Sequence, residues 1–353
     1  KALAAKGHQV HFITYSQPVR LGSFRENIFY HEVSITDYPL FDFQPYETQL
    51  ASKMVDVVKY EKLDILHVHY AIPHAYAGYM AQQMLREHGK NIPMVTTLHG
   101  TDITLVGQHP FYKPAVQFSI NQSNVVTSVS ADLKKKTNEL FQLDKEISVV
   151  PNFIDASKYV FPPTDCQRTL IAKDSERVIT HISNFRPVKC IPDVIEVFDR
   201  IQREIPAKLM MVGDGPEREN AERLCEEKGI SDRVVFLGNS NEIDRILCFS
   251  DLFLLPSISE SFGLAALEAM INRTPVVSSD TGGLPEVNLH GVTGYLCSVG
   301  DVASMAKYSI DLLSDSELLE KFKAQAYAQA LTFDIQKVVP QYEAVYACAM
   351  ASV

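Results

Sequence analysis
The chain carries its apolar residues in short unbroken runs rather than in strict alternation. Val10–Thr14, Ile65–His69, Met94–Leu98, Val125–Ser128 and Ile147–Val150 form a first series, with helically spaced stretches between them. Unbroken hydrophobicity is what strands covered on both faces require, so the pattern predicts a parallel sheet with helices on each side. A second series, Val178–Ser183, Leu209–Val212, Val234–Leu237, Leu252–Leu255 and Pro275–Ser278, begins after the proline-bearing stretch Tyr159–Asp165, which reads as a linker. Two doubly wound, Rossmann-like α/β domains are expected, at residues 1–155 and 156–333. A helical tail is read at 334–353, with packing open to either domain, a return to the first among the options. Lys1–Gly7 reads as the end of a helix closed by glycine, which predicts a strand and a strand-to-helix loop upstream of it.

Composition narrows the class. A chain of 353 residues exceeds what one core usually holds. A net charge of −10 and a pI near 5.6 argue against a broad cationic surface for nucleic acid and favour small polar ligands. No apolar run approaches the roughly 18 residues of a membrane span. Cys166, Cys190, Cys225, Cys248, Cys297 and Cys348 show no C-x-x-C pair and no zinc spacing, so reduced thiols and a cytoplasmic location are expected.

Ligands on doubly wound sheets sit outside the carboxyl ends of the strands, so the residues after each run are the candidates. After Leu252–Leu255, Glu260, Ser261, Phe262 and Gly263 lead into an Ala/Leu-rich stretch, which predicts a helix beginning near Ser261. The N–H groups of Ser261–Gly263 would then lie at the positive end of a helix dipole, a place for phosphate. Glu260 sits there too, and a carboxylate shares such a spot with an anion only if it points at neutral hydroxyls. A ligand combining phosphate and sugar satisfies both. On such a helix Glu268 lies about 12 Å along the axis and about 80° around it from Glu260. The two carboxylates would hold opposite ends of one elongated ligand; an acidic helix start is the plain alternative.

The loop after Val178–Ser183 carries Asn184, Arg186 and Lys189. A departing diphosphate needs such positive charge when no metal supplies it, although solvated surface cations are equally ordinary. No D-x-D pair suited to a magnesium-bound nucleotide is present in the sequence. Met211–Arg218 contains Gly213 and Gly215 without a G-x-G-x-x-G fingerprint, which weakens a nicotinamide oxidoreductase reading. Gly282 and Gly283 follow another strand, as a turn or as backbone open to a ligand.

The Arg/Lys loop, Val-Gly-Asp-Gly-Pro-Glu-Arg, Glu-x7-Glu and Gly-Gly-x-Pro-Glu occur together in the order and spacing of the family-4 retaining glycosyltransferases of the GT-B fold, which the chain resembles. The resemblance implies that the second domain binds a nucleotide-diphosphate sugar. Arg186 and Lys189 would lie on the diphosphate, Glu260 on sugar hydroxyls and Glu268 on the ribose, with Asn184, Gly213, Ser261, Phe262 and Gly263 completing the donor site. The family more often shows Gly-Arg-x4-Lys, whereas here Asn184 takes the arginine slot and Arg186 comes two residues later.

The stretches Leu63–Ala75 and Thr96–Gly107 follow strands and are expected to face a cleft between the domains. They resemble a narrower branch of the family that moves N-acetylglucosamine from UDP-GlcNAc to the hydroxyl of L-malate, with retention, at the start of bacillithiol assembly. That resemblance implies a donor contact for His99 and acceptor contacts for Tyr70, Thr101 and Asn152. Arg20 and Lys53 are candidate partners for the acceptor carboxylates, and the linker after Asn152 is a hinge candidate. The resemblance further implies no enzymatic nucleophile, no cofactor beyond the UDP-GlcNAc donor and no metal; His67, His69, His74 and His99 could be imagined as a metal site, but strand-end histidines read more readily as hydrogen-bonding residues. The partners expected are a UDP-sugar and a small hydroxy acid, without nucleic acid or membrane, and homo-oligomerisation stays open. The alternatives are a UDP-sugar epimerase or hydrolase of the same architecture and a non-catalytic sugar-nucleotide binding protein.

Overall fold
The computed structural model describes residues 1–18, 21, 26–34, 45–159, 166 and 168–353. The chain forms two compact units, one of Lys1–Pro151 with Gln336–Val353 and one of Asn152–Ile335. The division falls after Pro151 rather than after Asp155. Ile154 bridges to Asp334, its N–H donates to the Phe333 carbonyl at 3.1 Å, and its own carbonyl accepts from Ile335 N at 2.7 Å, tying this stretch to the second unit.

In the first unit, β1 (Val10–Thr14) pairs in parallel with β2 (Ile28–Glu32), and β3 (Leu66–His69), β4 (Met94–Leu98), β5 (Val125–Ser128) and β6 (Ile147–Val149) form a parallel sheet in that order. The helices are α1 (Ala2–Ala5), α2 (Tyr46–Tyr60), α3 (Tyr76–Glu87), α4 (Lys113–Gln122) and α5 (Ala131–Leu140). One core joins α2 and α3 to β3 and β4 through Leu50, Met54, Val58, Leu85 and Met94.

The second unit holds β7 (Arg177–Ile182), β8 (Ala207–Val212), β9 (Val234–Gly238), β10 (Leu252–Leu255), β11 (Val276–Ser279) and β12 (Gly294–Cys297). Its sheet is parallel throughout, in the order β12-β11-β10-β7-β8-β9. The connecting helices are α6 (Ile191–Glu204), α7 (Arg218–Lys228), α8 (Ile243–Leu247), α9 (Leu264–Ile271), α10 (Leu284–Val287), α11 (Val302–Ser314) and α12 (Ser316–Ala330). Helix α6 lays Val194, Ile195, Val197, Phe198 and Ile201 into the main core, an i, i+3, i+4 stripe that its sequence displays. Helix α13 (Ile335–Met350) returns to the first unit, where Val338, Val345 and Ala349 pack on Val95 and Val150.

Two expectations need correction. Helix α9 starts at Leu264 with Gly263 as its N-cap, so Glu260 precedes the helix and the eight-residue spacing to Glu268 is not a helical one. Residues 256–263 instead form a loop tied to its neighbours through the Ile258 N–H and the Ile258 and Glu260 carbonyls. The cysteines are not all reduced, because Cys166 and Cys248, with Cα atoms 6.0 Å apart, form a disulfide, a separation that suits such a bond. Among the described residues, no helix is long and apolar enough to cross a membrane. Most of the linker Tyr159–Asp165, and Arg20, lie outside the described residues.

Candidate active site
Strand order reverses direction at β7. From β7 the chain moves outward through β8 to β9, then returns to place β10 on the other side of β7. Loops that diverge from such a switch point leave a crevice at the carboxyl ends of the two strands, where ligands bind on open α/β sheets. Residues 183–190 follow β7 and residues 256–263 follow β10, so the two motifs richest in charge flank this point.

The strands at the switch are joined by a side chain. His181 is fully buried; its Nδ1 pairs with the Leu254 carbonyl at 2.9 Å and its Nε2 with Ser183 Oγ at 2.8 Å. Ser183 Oγ in turn accepts from Phe185 N at 3.3 Å, which orders the start of the Asn184–Lys189 loop. Burial lowers the His181 pKa to about 4, the Leu254 carbonyl only partly opposing it, so the imidazole is neutral. Nothing in the sequence separates this histidine from an ordinary strand residue.

Neighbouring loops lock the two charged loops in place. Gly213 has φ +117°, and a Cβ there would lie 1.8 Å from the Ser183 carbonyl oxygen. Its N–H donates to the Gly238 carbonyl at 2.8 Å, so Gly213 is a close-packing residue whose N–H is already engaged. Gly282 plays the same part beside β10. At φ +61° its Cβ position is 1.8 Å from the Glu260 carbonyl oxygen, which accepts from Gly283 N at 3.0 Å. Ile258 N donates to the Val188 carbonyl at 2.9 Å, and Thr281 Oγ1 to the Ile258 carbonyl at 3.0 Å. Four loops from β7, β8, β10 and β11 therefore form one hydrogen-bonded rim.

On that rim Lys189 Nζ donates to Glu260 Oε1, and Ser257 Oγ donates to the same oxygen at 3.0 Å. Both charged groups are only partly exposed, at 20% and 14% of their side chains. Arg186 and Asn184 are exposed; Arg186 makes no side-chain hydrogen bond or ion pair among the described residues. Ser261 and Glu268 are half-buried, the latter on the second turn of α9. Phe262 turns its ring into the core, edge-on to Phe333 at 5.5 Å, which leaves only its backbone for a ligand. Sequence reading missed Ser257, whose hydroxyl holds Glu260. An Oγ three residues before a carboxylate is the signal it carried.

The first unit gathers a second set of polar groups after β3 and β4. His69 Nδ1 and His99 Nε2 are 2.8 Å apart, and Tyr70 lies against His99 with ring centres 4.8 Å apart. His67 spends one nitrogen on Tyr346 Oη and the other on Thr97 Oγ1, each at 2.8 Å, while His74 Nδ1 pairs with the His69 carbonyl at 2.6 Å. Burial lowers the pKa values of His67 and His99 to about 4; desolvation, then the neighbouring imidazoles, holds His69 well below the usual range. These rings are neutral hydrogen-bonding groups at ordinary pH.

Asp102, which sequence reading left without a role, organises this corner. Its buried carboxylate accepts from Ala71 N at 2.8 Å, Gly100 N at 3.0 Å and His99 N at 3.3 Å, clamping the loops after β3 and β4 together. Burial raises its pKa, against the lowering effect of those N–H groups. Thr101 is exposed beside it at the start of the turn. Asn152 is half-buried and belongs to the second unit, whereas this set belongs to the first. Lys53 lies on α2.

Comparisons with known proteins agree with these elements. Residues 1–158 match the profile "Glycosyltransferase Family 4" and residues 166–329 match "Glycosyl transferases group 1". The chain is 46% identical over 351 residues to N-acetyl-alpha-D-glucosaminyl L-malate synthase of Bacillus anthracis, covering 98% of this chain and 91% of that protein. It is 26% identical to D-inositol 3-phosphate glycosyltransferase of Nocardia farcinica, over 94% of this chain and 78% of that one. Among solved structures, sucrose-phosphate synthase from Thermosynechococcus elongatus superposes with a TM-score of 0.81 at 19% identity, covering 100% of this chain and 92% of that chain. Anabaena HepE in complex with UDP and glucose superposes with a TM-score of 0.77 at 21% identity, over 91% and 86%.

Proposed function
Because the chain belongs to the family 4 and group 1 glycosyltransferases of GT-B fold, we propose that it transfers N-acetylglucosamine from UDP-GlcNAc to the hydroxyl of L-malate, with retention at the anomeric carbon. The donor assignment is carried by one observation: Lys189 and Glu260 meet at the switch point of the second unit, from the two loops that flank it. The acceptor assignment is supported by the 46% identical relative, whose name states that product.

Lys189 leaves Glu260 for the diphosphate as the donor binds. Its charge then meets the negative charge that grows as the glycosidic bond breaks, where a fixed cation lowers the barrier most. Glu260, still held by Ser257, turns its free carboxylate capacity to neutral sugar hydroxyls. The exposed Arg186 adds a second cation, the N–H groups at the start of α9 face the phosphates, and Glu268 takes the ribose. Neutral His99 and the hydroxyls of Tyr70 and Thr101 supply hydrogen bonds for the substrates, with Asn152 a further acceptor contact. The leaving diphosphate oxygen accepts the malate hydroxyl proton on the face from which it departs, so no enzymatic nucleophile, resident cofactor or metal enters the proposal.

The test is an incubation of the protein with UDP-GlcNAc against a panel of hydroxy acids, reading UDP release and product mass. A malate-dependent product carrying one N-acetylhexosamine, α-linked by NMR, is expected. UDP release or an epimerised sugar without any acceptor overturns the reading in favour of a hydrolase or epimerase. Tight UDP binding without turnover favours a binding protein.

A further inference from the structure
On the β1–β2 ribbon of the first unit, His11, His31 and the carboxylate of Glu61 come together, with one potential ligand atom from each within 4.8 Å of the others. The pairing sets this up. His11 is opposite Phe29 in the parallel register, and two residues further along the same face of β2 stands His31. His11 Nδ1 and His31 Nε2 are 2.9 Å apart, and the Phe29 ring stacks on His11 at 4.6 Å, fixing its plane. Glu61 is the C-cap of α2.

The polar accounting of this cluster is incomplete in a way that points to a cation. His11 Nε2, the ring nitrogen that does not face His31, is buried and has no hydrogen-bond partner among the described residues. Whichever way the shared proton of the two imidazoles is placed, that atom is either a bare lone pair without a donor or an N–H without an acceptor. The Glu61 carboxylate forms no hydrogen bond or ion pair among the described residues. It stands at the carboxyl end of a fifteen-residue helix, where the dipole favours positive charge. The charge of Lys53 on α2 reaches His31, and the two imidazoles and one carboxylate gathered beside it are a donor set suited to a Lewis acid.

We propose that His11, His31 and Glu61 bind one divalent transition cation of the Zn²⁺ type, which pins β1 and β2 to the end of α2. Two nitrogens and one oxygen suit zinc in a four-coordinate site whose last position is water, and do not suit magnesium or calcium, which want mostly oxygen. Zinc-bound ligand atoms stand roughly 3.3 Å apart in a tetrahedron with bonds of about 2.0–2.1 Å, so the observed spread closes by small side-chain movements. The site is built from groups that take no part in the proposed transfer, and its role is structural.

The experiment is equilibrium dialysis of the full chain against Zn²⁺, with bound metal counted by mass spectrometry, on the wild type and on Glu61→Gln and His31→Gln. Glu61 is exposed, so its variant is expected to fold as the wild type does, checked by circular dichroism. One equivalent of zinc is expected in the wild type, at least 10-fold weaker binding in each variant, and no displacement by a hundredfold excess of Mg²⁺. Cobalt substitution is expected to give the intense visible absorption of a four-coordinate site, absent from Glu61→Gln. Absence of retained zinc overturns the site. Undiminished binding in both variants also overturns it, because the metal then sits on other histidines or on exposed Cys348.

Discussion
Lys189 and Glu260 neutralise each other on the rim of the second unit, and that pairing sets what each substitution does. In the proposed transfer Lys189 is the cation that meets the departing diphosphate, so in Lys189→Ala kcat/KM for UDP-GlcNAc is expected to fall by the equivalent of about 2–4 kcal/mol. Arg186 is exposed and has no side-chain partner among the described residues. Arg186→Ala is therefore expected to raise KM for the donor more than it lowers kcat. Steady-state kinetics on both variants checks this, and an unchanged kcat/KM in Lys189→Ala removes the lysine from the reaction. Asp102 belongs to the same scale. Three N–H groups depend on its carboxylate, and Asp102→Ala leaves them buried without an acceptor at a cost of about 2–4 kcal/mol. Urea unfolding is the measurement, and activity is expected to fall with it because His99 loses its backbone anchor.

At the scale of elements, the rim is held by backbone packed against backbone. A Cβ on Gly282 would meet the Glu260 carbonyl oxygen at 1.8 Å, in a conformation that disfavours side chains. Gly282→Ala is expected to displace the Glu260 loop and to weaken UDP binding by at least 10-fold in calorimetry. Gly7→Ala, also at positive φ but with nothing within 4 Å, is expected to leave UDP binding unchanged. This division also explains what the sequence made legible. Strands buried on both faces, such as Met94–Leu98 and Leu252–Leu255, announce themselves by unbroken hydrophobicity and match the observed elements residue for residue. The edge strands β2 and β12, in Ile-Phe-Tyr-His-Glu and Gly-Tyr-Leu-Cys, mix polar residues or open on glycine and give no such signal. The sequence pattern places the start of α9 three residues early, because helix-forming residues past Gly263 say nothing of a preceding loop that packs against Gly282 and Gly283. Lys189 and Glu260 were visible as charge types beside strand ends, but their contact arises from β7 and β10 being neighbours, a property of strand order that local pattern does not contain.

At the scale of the whole molecule, buried neutral imidazoles link stability to pH in both units. His67 and His99 in the first and His181 in the second have pKa values lowered to about 4 by burial. In the unfolded chain each imidazole takes up its proton near pH 6.5, whereas in the folded chain it does so only near 4. Between those values the unfolded state binds more protons, so the stability these groups allow is present above pH 6.5 and is lost as pH falls towards 4. Asp102, raised by burial, acts in the opposite sense and offsets part of the loss in the first unit. For His181, fully enclosed, the loss reaches at most about 3 kcal/mol. His181→Gln keeps an amide donor for Leu254 and an acceptor for Ser183 but has nothing to titrate. The chain contains no tryptophan, so urea unfolding is followed by far-UV circular dichroism at pH 7.5 and pH 5.0. The wild type is expected to lose more stability between the two pH values than His181→Gln. Equal losses would mean that His181 titrates in the fold as it does in the unfolded chain, so that burial does not hold it neutral, and a smaller loss in the wild type would mean that the fold favours its charged form.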